Sequence, residues 1–339
     1  MWMARVASGQ LRPIAYTMVS LDNPQSIPSH LSGESHPEWQ YLDLMRQIWE
    51  TGNERVDRTG IGTRSIAGAM LRFCLTEGAM PLLTTKRVYW KTATREMLWF
   101  LTGDTNIRPL VLQGVKIWNE WPHARYIKET GEDIALDDFV QRIADDQSFA
   151  KRWGDLGPVY GKQWVDWPTY RYRPDGLYEK GEGINQVQQV VDSLRQNPGS
   201  RRHIIEGWNV AELDQMALPP CHKTYQFHVA ENRLNCLLYQ RSCDVALGLP
   251  FNLWSAALLT RMMAQQTGLE PGELVWMGGD VHLYLNHAHL IEEQLTREPA
   301  GNPTLEISGK PQTIFDYQIT DFVVHDYTPL PPIKAPVAV

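Results

Sequence analysis

The sequence of 339 residues predicts an α/β protein with one main domain. Apolar residues recur at helical spacing in several segments, and the clearest set is Leu136, Phe139, Val140 and Ile143. Residues 222–229 and 234–239 are strand-like and flank a short polar turn, which indicates a hairpin. Because no internal repeat or linker divides the chain, residues 37–339 are expected to form a single domain.

Composition narrows the class of protein. The formal net charge of -7 argues against a chain built mainly to bind nucleic acid, because such proteins are basic. No apolar run is long enough for a membrane helix, and residues 1–36 lack the continuous apolar stretch of a secretory signal. These residues are expected to be a poorly ordered extension, with organelle targeting as the less favoured alternative. The four cysteines include no Cys-x-x-Cys pair, which favours a cytoplasmic setting.

Further elements follow from spacing and from turn residues. A capping-box pattern at 35–38 is expected to open a helix that ends at Gly52. Helices are also predicted at 92–102, 184–194 and 253–267, and strands at 65–74, 203–209, 275–277 and 315–324. Residues 122–153 read as an excursion from the main domain.

The stretch Leu-Pro-Pro-Cys-His at 218–222 indicates nucleophilic chemistry. Cys221 follows two prolines at the start of an extended segment, and the second strand of the hairpin ends in Arg241, Ser242, Cys243 and Asp244. A thiol near a guanidinium is activated and can act on an anionic substrate. His222 is adjacent to Cys221, so on a strand the two side chains point to opposite faces. A thiol–imidazole pair of the hydrolase type is therefore not expected.

Glu96 and Trp118 are further candidates, each with two interpretations. On a helix, Glu96 faces Thr92, Trp99 and Phe100, so its carboxylate is either desolvated with a raised pKa or lies on an exposed face. Trp118 and Trp121, three residues apart, either pack in the core or form an aromatic wall for a ring-shaped ligand.

Basic residues and possible ligand loops leave similar alternatives. Arg58 lies in a turn-rich loop that is either a connector or a mobile anion-binding segment. Arg201 and Arg202 are either a solvated pair or contacts to a phosphate or a partner chain. The histidines and cysteines do not match the spacing of a metal site, so no metal is expected. The glycine-dense loop at 154–164 matches neither a P-loop nor a dinucleotide-binding turn.

Ten segments together resemble the thymidylate synthase family. They lie at 57–63, 84–87, 96–101, 118–121, 154–164, 200–202, 218–222, 240–252, 278–284 and 335–339. The resemblance extends from about residue 38 to residue 339 and leaves the N-terminal extension outside. It implies one mixed twisted β-sheet flanked by helices and a symmetric homodimer. It also implies methylation of deoxyuridine monophosphate (dUMP) at C5, with 5,10-methylenetetrahydrofolate as the donor of carbon and hydride.

The resemblance implies roles for the catalytic candidates. Cys221 is expected to add to uracil C6, which makes C5 nucleophilic. Asn252 is expected to read uracil O4 and N3, because an amide both donates and accepts hydrogen bonds. Glu96 is expected to run the proton network at O4, and Tyr160 to assist loss of the C5 proton. Arg241 completes the catalytic set.

The resemblance also implies the binding residues. Those for the nucleotide are Arg58, Arg241, Ser242, Asp244, Asn252, His282 and Tyr284, together with Arg201 and Arg202 supplied by the other subunit. Those for the folate are Trp118, Asp244 and Val339, with the carboxylate of Val339 closing the site against water. Neither a membrane nor a nucleic acid is required.

Several positions depart from the family pattern. They are Arg95, the pair Glu206-Gly207 and the run Lys223-Thr224-Tyr225. They leave open a hydroxymethyltransferase, in which water and not hydride ends the reaction. Asn252 argues against a cytosine substrate, and Trp118 with the intact C-terminus favours methylation. A nucleotide- or RNA-binding regulator without catalysis is disfavoured, because Cys221, Glu96 and Asn252 are all retained.

Overall fold

A six-stranded mixed sheet lies at the centre of the computed structural model, which describes residues 36–56 and 60–336. The strands of the described residues are β1 (Asn53–Arg55), β2 (Thr63–Cys74), β3 (Tyr170–Tyr172), β4 (Tyr178–Lys180), β5 (Ile204–Glu206), β6 (His222–Ala230), β7 (Arg233–Asp244), β8 (Glu270–Tyr284), β9 (Thr304–Ile307) and β10 (Phe322–His325). The central sheet has the order β1-β2-β8-β7-β6-β5, and β7 and β8 are its one parallel pair. The predicted mixed sheet flanked by helices is confirmed.

Ten α-helices accompany the strands in the described residues. They are α1 (Trp39–Thr51), α2 (Trp90–Thr102), α3 (Arg108–Leu112), α4 (Glu120–Thr130), α5 (Leu136–Asp145), α6 (Gln147–Trp153), α7 (Gly161–Val165), α8 (Gln186–Gln196), α9 (Gly248–Thr267) and α10 (Ala288–Leu295). No helix in this part of the chain has both the length and the apolar character needed to cross a bilayer.

The helices cover one face of the central sheet, and α9 packs directly against β7 and β8. Alternate residues of β7 are buried on this face: Leu234, Cys236, Leu238 and Gln240. Helix α9 is buried almost all round, because α2 packs on its other side. Trp254 of α9 donates a hydrogen bond to Thr94 of α2 at 2.9 Å and contacts Trp90 at 5.4 Å between ring centroids. These contacts fix α2 relative to α9, and both helices carry site residues.

The opposite face of the sheet is open. Met70, Ile204 and Tyr239 expose large apolar surface there. Gly279 lies on this face in β8, and a Cβ added to it would stand 2.9 Å from the Tyr239 hydroxyl and 3.0 Å from the Arg241 carbonyl oxygen. Glycine at this position therefore lets β8 approach the site-bearing end of β7 closely.

Most predicted helices and the predicted hairpin are confirmed, but three predictions are wrong. The strand expected at 275–277 is only three residues near the middle of a strand of fifteen, because Gly278 and Gly279 continue the ladder instead of ending it. The strand expected at 315–324 is reduced to β10, because Thr313 bonds to Asp316 and forms a turn there.

The third wrong prediction concerns the start of α1. Glu38 does not cap this helix with its side chain. Its buried carboxylate accepts hydrogen bonds from the backbone amides of Thr84 and Thr85, at 2.7 and 3.0 Å, and from both threonine hydroxyls. Glu38 thus ties the start of α1 to the loop before α2.

The excursion at 122–153 contains α4, α5 and α6, which share a small aromatic cluster. Tyr126 contacts Phe139, Phe149 and Trp153 at 5.6, 5.4 and 4.9 Å between ring centroids. The N-terminal extension, apart from its last residue, lies outside the described residues, so its predicted disorder stays a prediction.

Candidate active site

Arg241 holds the backbone that carries Cys221. Its Nε and Nη2 atoms donate to the carbonyl oxygens of Pro220 and Pro219 at 2.9 and 2.7 Å. The same Nη2 lies 3.8 Å from the Cys221 sulfur. The arginine backbone amide also donates to the Cys221 carbonyl oxygen at 2.8 Å. A guanidinium in this position favours the thiolate, and Cys221 itself is only partly buried.

Tyr160 lies on the other side of Cys221. Its hydroxyl accepts a hydrogen bond from the Cys221 amide at 2.9 Å, and its ring stacks between Phe100 and His222. Burial raises the pKa of Tyr160 well above its usual range, so the phenol stays protonated at neutral pH. Its φ of +22° is rare for a side-chain-bearing residue and is held by this packing.

His222 does not act as a base toward Cys221. Its ring is buried against Tyr160 at 4.4 Å between centroids, and its Nδ1 is hydrogen-bonded to the Tyr225 hydroxyl at 3.1 Å. Burial lowers the pKa of His222 to about 3, so the imidazole is neutral at physiological pH. The expectation that the site lacks a thiol–imidazole pair agrees with this packing.

Glu96 of α2 is buried and contacts Trp118. Its Oε1 accepts a hydrogen bond from the Trp118 indole N–H at 2.8 Å. Burial raises the pKa of Glu96 to about 7, and the indole hydrogen bond only partly opposes that shift. Of the two interpretations of the sequence, the desolvated carboxylate is confirmed. A carboxyl group with a pKa near 7 can both donate and accept a proton at physiological pH.

Gln240 fixes the side chain of Asn252. This residue was not among the candidates named from the sequence. Its Nε2 donates to Asn252 Oδ1 at 2.9 Å, and its Oε1 accepts from the Trp276 indole at 2.9 Å. The Gln240 amide can adopt only one orientation, because the indole N–H is solely a donor. Asn252 therefore presents its NH₂ group in a defined direction. The sequence offered one signal for this role. A polar glutamine occupies a core-facing position in the alternation of β7, next to Arg241.

Asp244 ends β7 and begins the turn into α9. Its Oδ1 accepts hydrogen bonds from the amides of Ala246 and Leu247 at 2.9 and 3.2 Å. This carboxylate therefore has a structural role in placing α9 and Asn252. A carboxylate has two oxygens, so capping through Oδ1 is compatible with ligand binding at Oδ2.

His282 and Tyr284 share one face at the end of β8, with ring centroids 5.4 Å apart. Asp280 accepts a hydrogen bond from His282 Nδ1 at 3.2 Å and forms an ion pair with Arg55. The hydrogen bond from His282, assisted by Arg55, lowers the pKa of Asp280. The ionised carboxylate can only accept, so His282 donates to it from Nδ1, and this hydrogen bond orients the imidazole ring. Ser242 is paired with Asp280 in the parallel ladder, which places it beside this group.

Arg201 and Arg202 are not brought to Cys221 within one chain. Both are exposed and precede β5, beside the stretch where the His203 carbonyl accepts from the Phe227 amide. Six residues of extended strand separate Phe227 from Cys221, a distance of roughly 20 Å. Arg58 and Val339 lie outside the described residues, so their predicted roles stay predictions.

These groups together define a class of site. An arginine-bound thiol, a buried carboxyl group titrating near neutrality and a fixed amide suit covalent catalysis on a small polar ring. In the described part of the chain, no group of three or more His, Cys, Asp or Glu side chains is arranged to hold a metal ion.

Comparison with known proteins gives the family. The family model described as Thymidylate synthase matches residues 39–339, and the chain belongs to that family. It is 72% identical to the thymidylate synthase of Novosphingobium aromaticivorans over 305 residues, which cover 90% of this chain and 97% of that protein. It is 63% identical to the enzyme of Sphingopyxis alaskensis and 59% identical to that of Rhizorhabdus wittichii. Each of these matches covers 90% of this chain and 98% or 99% of the relative.

Proposed function

We propose that this protein methylates dUMP to thymidine monophosphate in the cytoplasm, with 5,10-methylenetetrahydrofolate as the donor. The observation that carries the proposal is the contact of 3.8 Å between Arg241 and the Cys221 sulfur. It joins an activated nucleophile to an anion-binding cation in one site. The names of the closely similar relatives support the same activity.

Cys221 begins the reaction by adding its thiolate to uracil C6. A C–S bond forms, and the electron pair of the C5–C6 double bond moves toward C5 and the O4 carbonyl. C5 is a poor nucleophile in uracil and becomes a good one in this enolate. Arg241 stabilises the thiolate before the attack.

Three side chains bind the uracil ring and assist its proton transfers: Glu96, Asn252 and Tyr160. The Asn252 NH₂ group, aimed by Gln240, donates to O4 and selects uracil over cytosine, whose amino group cannot accept that bond. Glu96 exchanges a proton at O4, for which its pKa of about 7 is suited. Tyr160 stays protonated and assists removal of the C5 proton through water.

The phosphate and the sugar are held at the ends of β7 and β8. Arg58, Arg241 and Ser242 bind the phosphate, together with Arg201 and Arg202 of the partner subunit in a homodimer. His282 and Tyr284 bind the 3′-hydroxyl.

Two tryptophans and one carboxylate suit a flat pterin ring. Trp118 and Trp121 lie 5.3 Å apart between ring centroids, and Asp244 offers an acceptor for the N–H groups of a pterin. The folate supplies a one-carbon unit and a hydride when bound. Trp118 would pack against it, and the C-terminal residues ending in Val339 would close the site. Exclusion of water is the feature that separates methylation from hydroxymethylation.

Mass analysis of the product tests the proposal. Incubation with dUMP and methylenetetrahydrofolate is expected to yield thymidine monophosphate, and a hydroxymethyl product would refute methylation. Covalent trapping by 5-fluoro-dUMP with folate is expected at Cys221 and is lost in Cys221→Ser. The exposed Cys74 provides the matched control, because Cys74→Ser should leave both trapping and turnover unchanged.

A further inference from the structure

Polar side chains from β5 and β6 meet close to Cys221 in the chain. Glu206, at the end of β5, forms an ion pair with Lys223 at 3.2 Å through its Oε2 atom. The Thr224 hydroxyl donates to the same oxygen at 2.6 Å. Both charged side chains are about three-quarters buried, at 29% and 25% exposure, which makes the pair stronger than a fully exposed one. An irregularity in β6 between His222 and Thr224 allows both residues to reach Glu206.

The second oxygen of Glu206 fixes the chain that leaves β5. Its Oε1 accepts a hydrogen bond from the Trp208 amide at 2.8 Å. The Gly207 amide donates to the Lys223 carbonyl oxygen at 2.7 Å. The end of β5 and the start of β6 are therefore connected by this hydrogen bond and by the ion pair between Glu206 and Lys223. Gly207 also packs beside Pro220, next to the nucleophile. The position of Trp208 thus depends on the Glu206 carboxylate.

Trp208 in turn contacts Arg241. The centre of the Arg241 guanidinium lies 5.1 Å from the Trp208 ring centroid, in the range of a cation–π interaction. The edge of the same guanidinium is held by the carbonyls of Pro219 and Pro220. The ring fixes the face of the guanidinium, and the carbonyls fix its edge.

We propose that Glu206, held by Lys223 and Thr224, is a positioning residue that sets Trp208 against Arg241 and so orients the guanidinium for the phosphate of the substrate. The inference rests on the proposed function for the identity of that phosphate, but the geometry itself applies to any phosphate bound by Arg241. Glu206 acts through its acceptor atom on the Trp208 amide, while Lys223 neutralises a carboxylate that would otherwise oppose an anion nearby.

Substitution of Glu206 tests this role. Glu206→Leu has similar size and no acceptor, so its affinity for dUMP should fall about five- to twentyfold through loss of the Trp208–Arg241 contact. Affinity for deoxyuridine, which lacks the phosphate, should change less than about twofold. Glu206→Gln keeps the acceptor and should restore most of the dUMP affinity. Lys223→Met leaves the hydrogen bond between Glu206 and the Trp208 amide but removes the charge that neutralises Glu206, so it should also weaken dUMP binding more than deoxyuridine binding.

The control and the contrary outcomes separate this inference from the proposed function. Glu273 forms an ion pair with Arg72 at 2.9 Å elsewhere on the sheet, so Glu273→Leu should leave dUMP affinity unchanged. Equal losses for dUMP and deoxyuridine, or no loss for either, would overturn the positioning role. If the wild-type protein binds no dUMP, the proposed function fails. Inorganic phosphate then serves as the probe, and equal phosphate affinity in wild type and Glu206→Leu would overturn the inference.

Discussion

The carboxyl group of Glu96 is both buried and titratable, so the stability of the protein should depend on pH through it. Burial raises the pKa of Glu96 to about 7 in the folded protein, above the usual 4.5. Between these two values the folded state binds more protons than the unfolded state, so the free energy of unfolding falls as pH rises. Glu96→Gln removes this loss. When the pH rises from 5 to 8, the free energy of unfolding of the variant should therefore increase by about 2 kcal/mol relative to that of wild type.

Denaturant unfolding at the two pH values measures the effect. Glu292 is exposed on α10, so Glu292→Gln makes the same chemical change without burial. That control should show no such pH-dependent gain. A constant difference between Glu96→Gln and wild type across the range would mean that Glu96 does not titrate near neutrality.

Gln240 gives a second prediction at the scale of residues. Gln240→Met preserves volume but removes the donor that orients the Asn252 amide. The amide can then rotate, so discrimination between dUMP and the cytosine nucleotide, measured as a ratio of kcat/KM, should fall about three- to tenfold. Gln294 is another fully buried glutamine, bonded to Thr85 at 2.9 Å, and Gln294→Met is the control. Unaltered discrimination in Gln240→Met would show that Asn252 is oriented by other contacts.

The two residues differ in how far their environment could be predicted. The desolvation of Glu96 was one of the two interpretations that its helical neighbours in the sequence allowed. The role of Gln240 depends on β7 lying beside β8, where Trp276 is found, and under α9, where Asn252 is found. Contacts that join three elements distant in sequence depend on the tertiary fold, and local periodicity does not encode them.

At the scale of elements, helices with a polar face and the hairpin were predictable, whereas β8 was not. A pair of glycines such as Gly278-Gly279 locally resembles a turn. In the sheet it continues the ladder, because β2 and β7 pair with the strand on both sides and Gly279 admits Tyr239 and Arg241. The tertiary neighbours therefore override the local signal.

The excursion at 122–153 carries a prediction about an element. Asp146 caps α6, and its Oδ1 accepts from the amides of Ser148 and Phe149 at 2.8 and 2.9 Å. Asp146→Ala should lower the free energy of unfolding by about 1 kcal/mol, because two helix amides lose their partner. Asp133→Ala, in the exposed loop before α5, is the control. Turnover should be unchanged in both variants, and a large loss of kcat in Asp146→Ala would connect the excursion to the site.

At the scale of the whole molecule, the open sheet face and the remote arginines belong together. Met70, Ile204 and Tyr239 expose apolar surface on that face, which favours a second copy of the chain packing against it. Arg201 and Arg202 precede β5 beside Phe227, which lies roughly 20 Å along β6 from the nucleophile of the same chain. A homodimer formed through this face could bring them to the site of the other chain. From the sequence, this arrangement was predictable only through the family resemblance.

Subunit mixing tests the arrangement. Cys221→Ser lacks the nucleophile, and the double variant Arg201→Ala, Arg202→Ala lacks the donated cations, so each should be nearly inactive alone. In a mixed dimer, the intact Cys221 of one chain would receive the intact arginines of the other. Equal mixing yields half mixed dimers, each with one complete site. About one quarter of wild-type turnover should therefore return.

The matched control uses two variants of the same site. Cys221→Ser mixed with Glu96→Gln should regain nothing, because Cys221 and Glu96 belong to the same chain in every site and no mixed dimer contains a complete one. Donation across the interface would be established if activity returned in the mixture with the arginine variant and not in the mixture with Glu96→Gln. Absence of recovery after verified subunit exchange would mean that Arg201 and Arg202 serve their own chain, or that they contribute through stability and not through the phosphate.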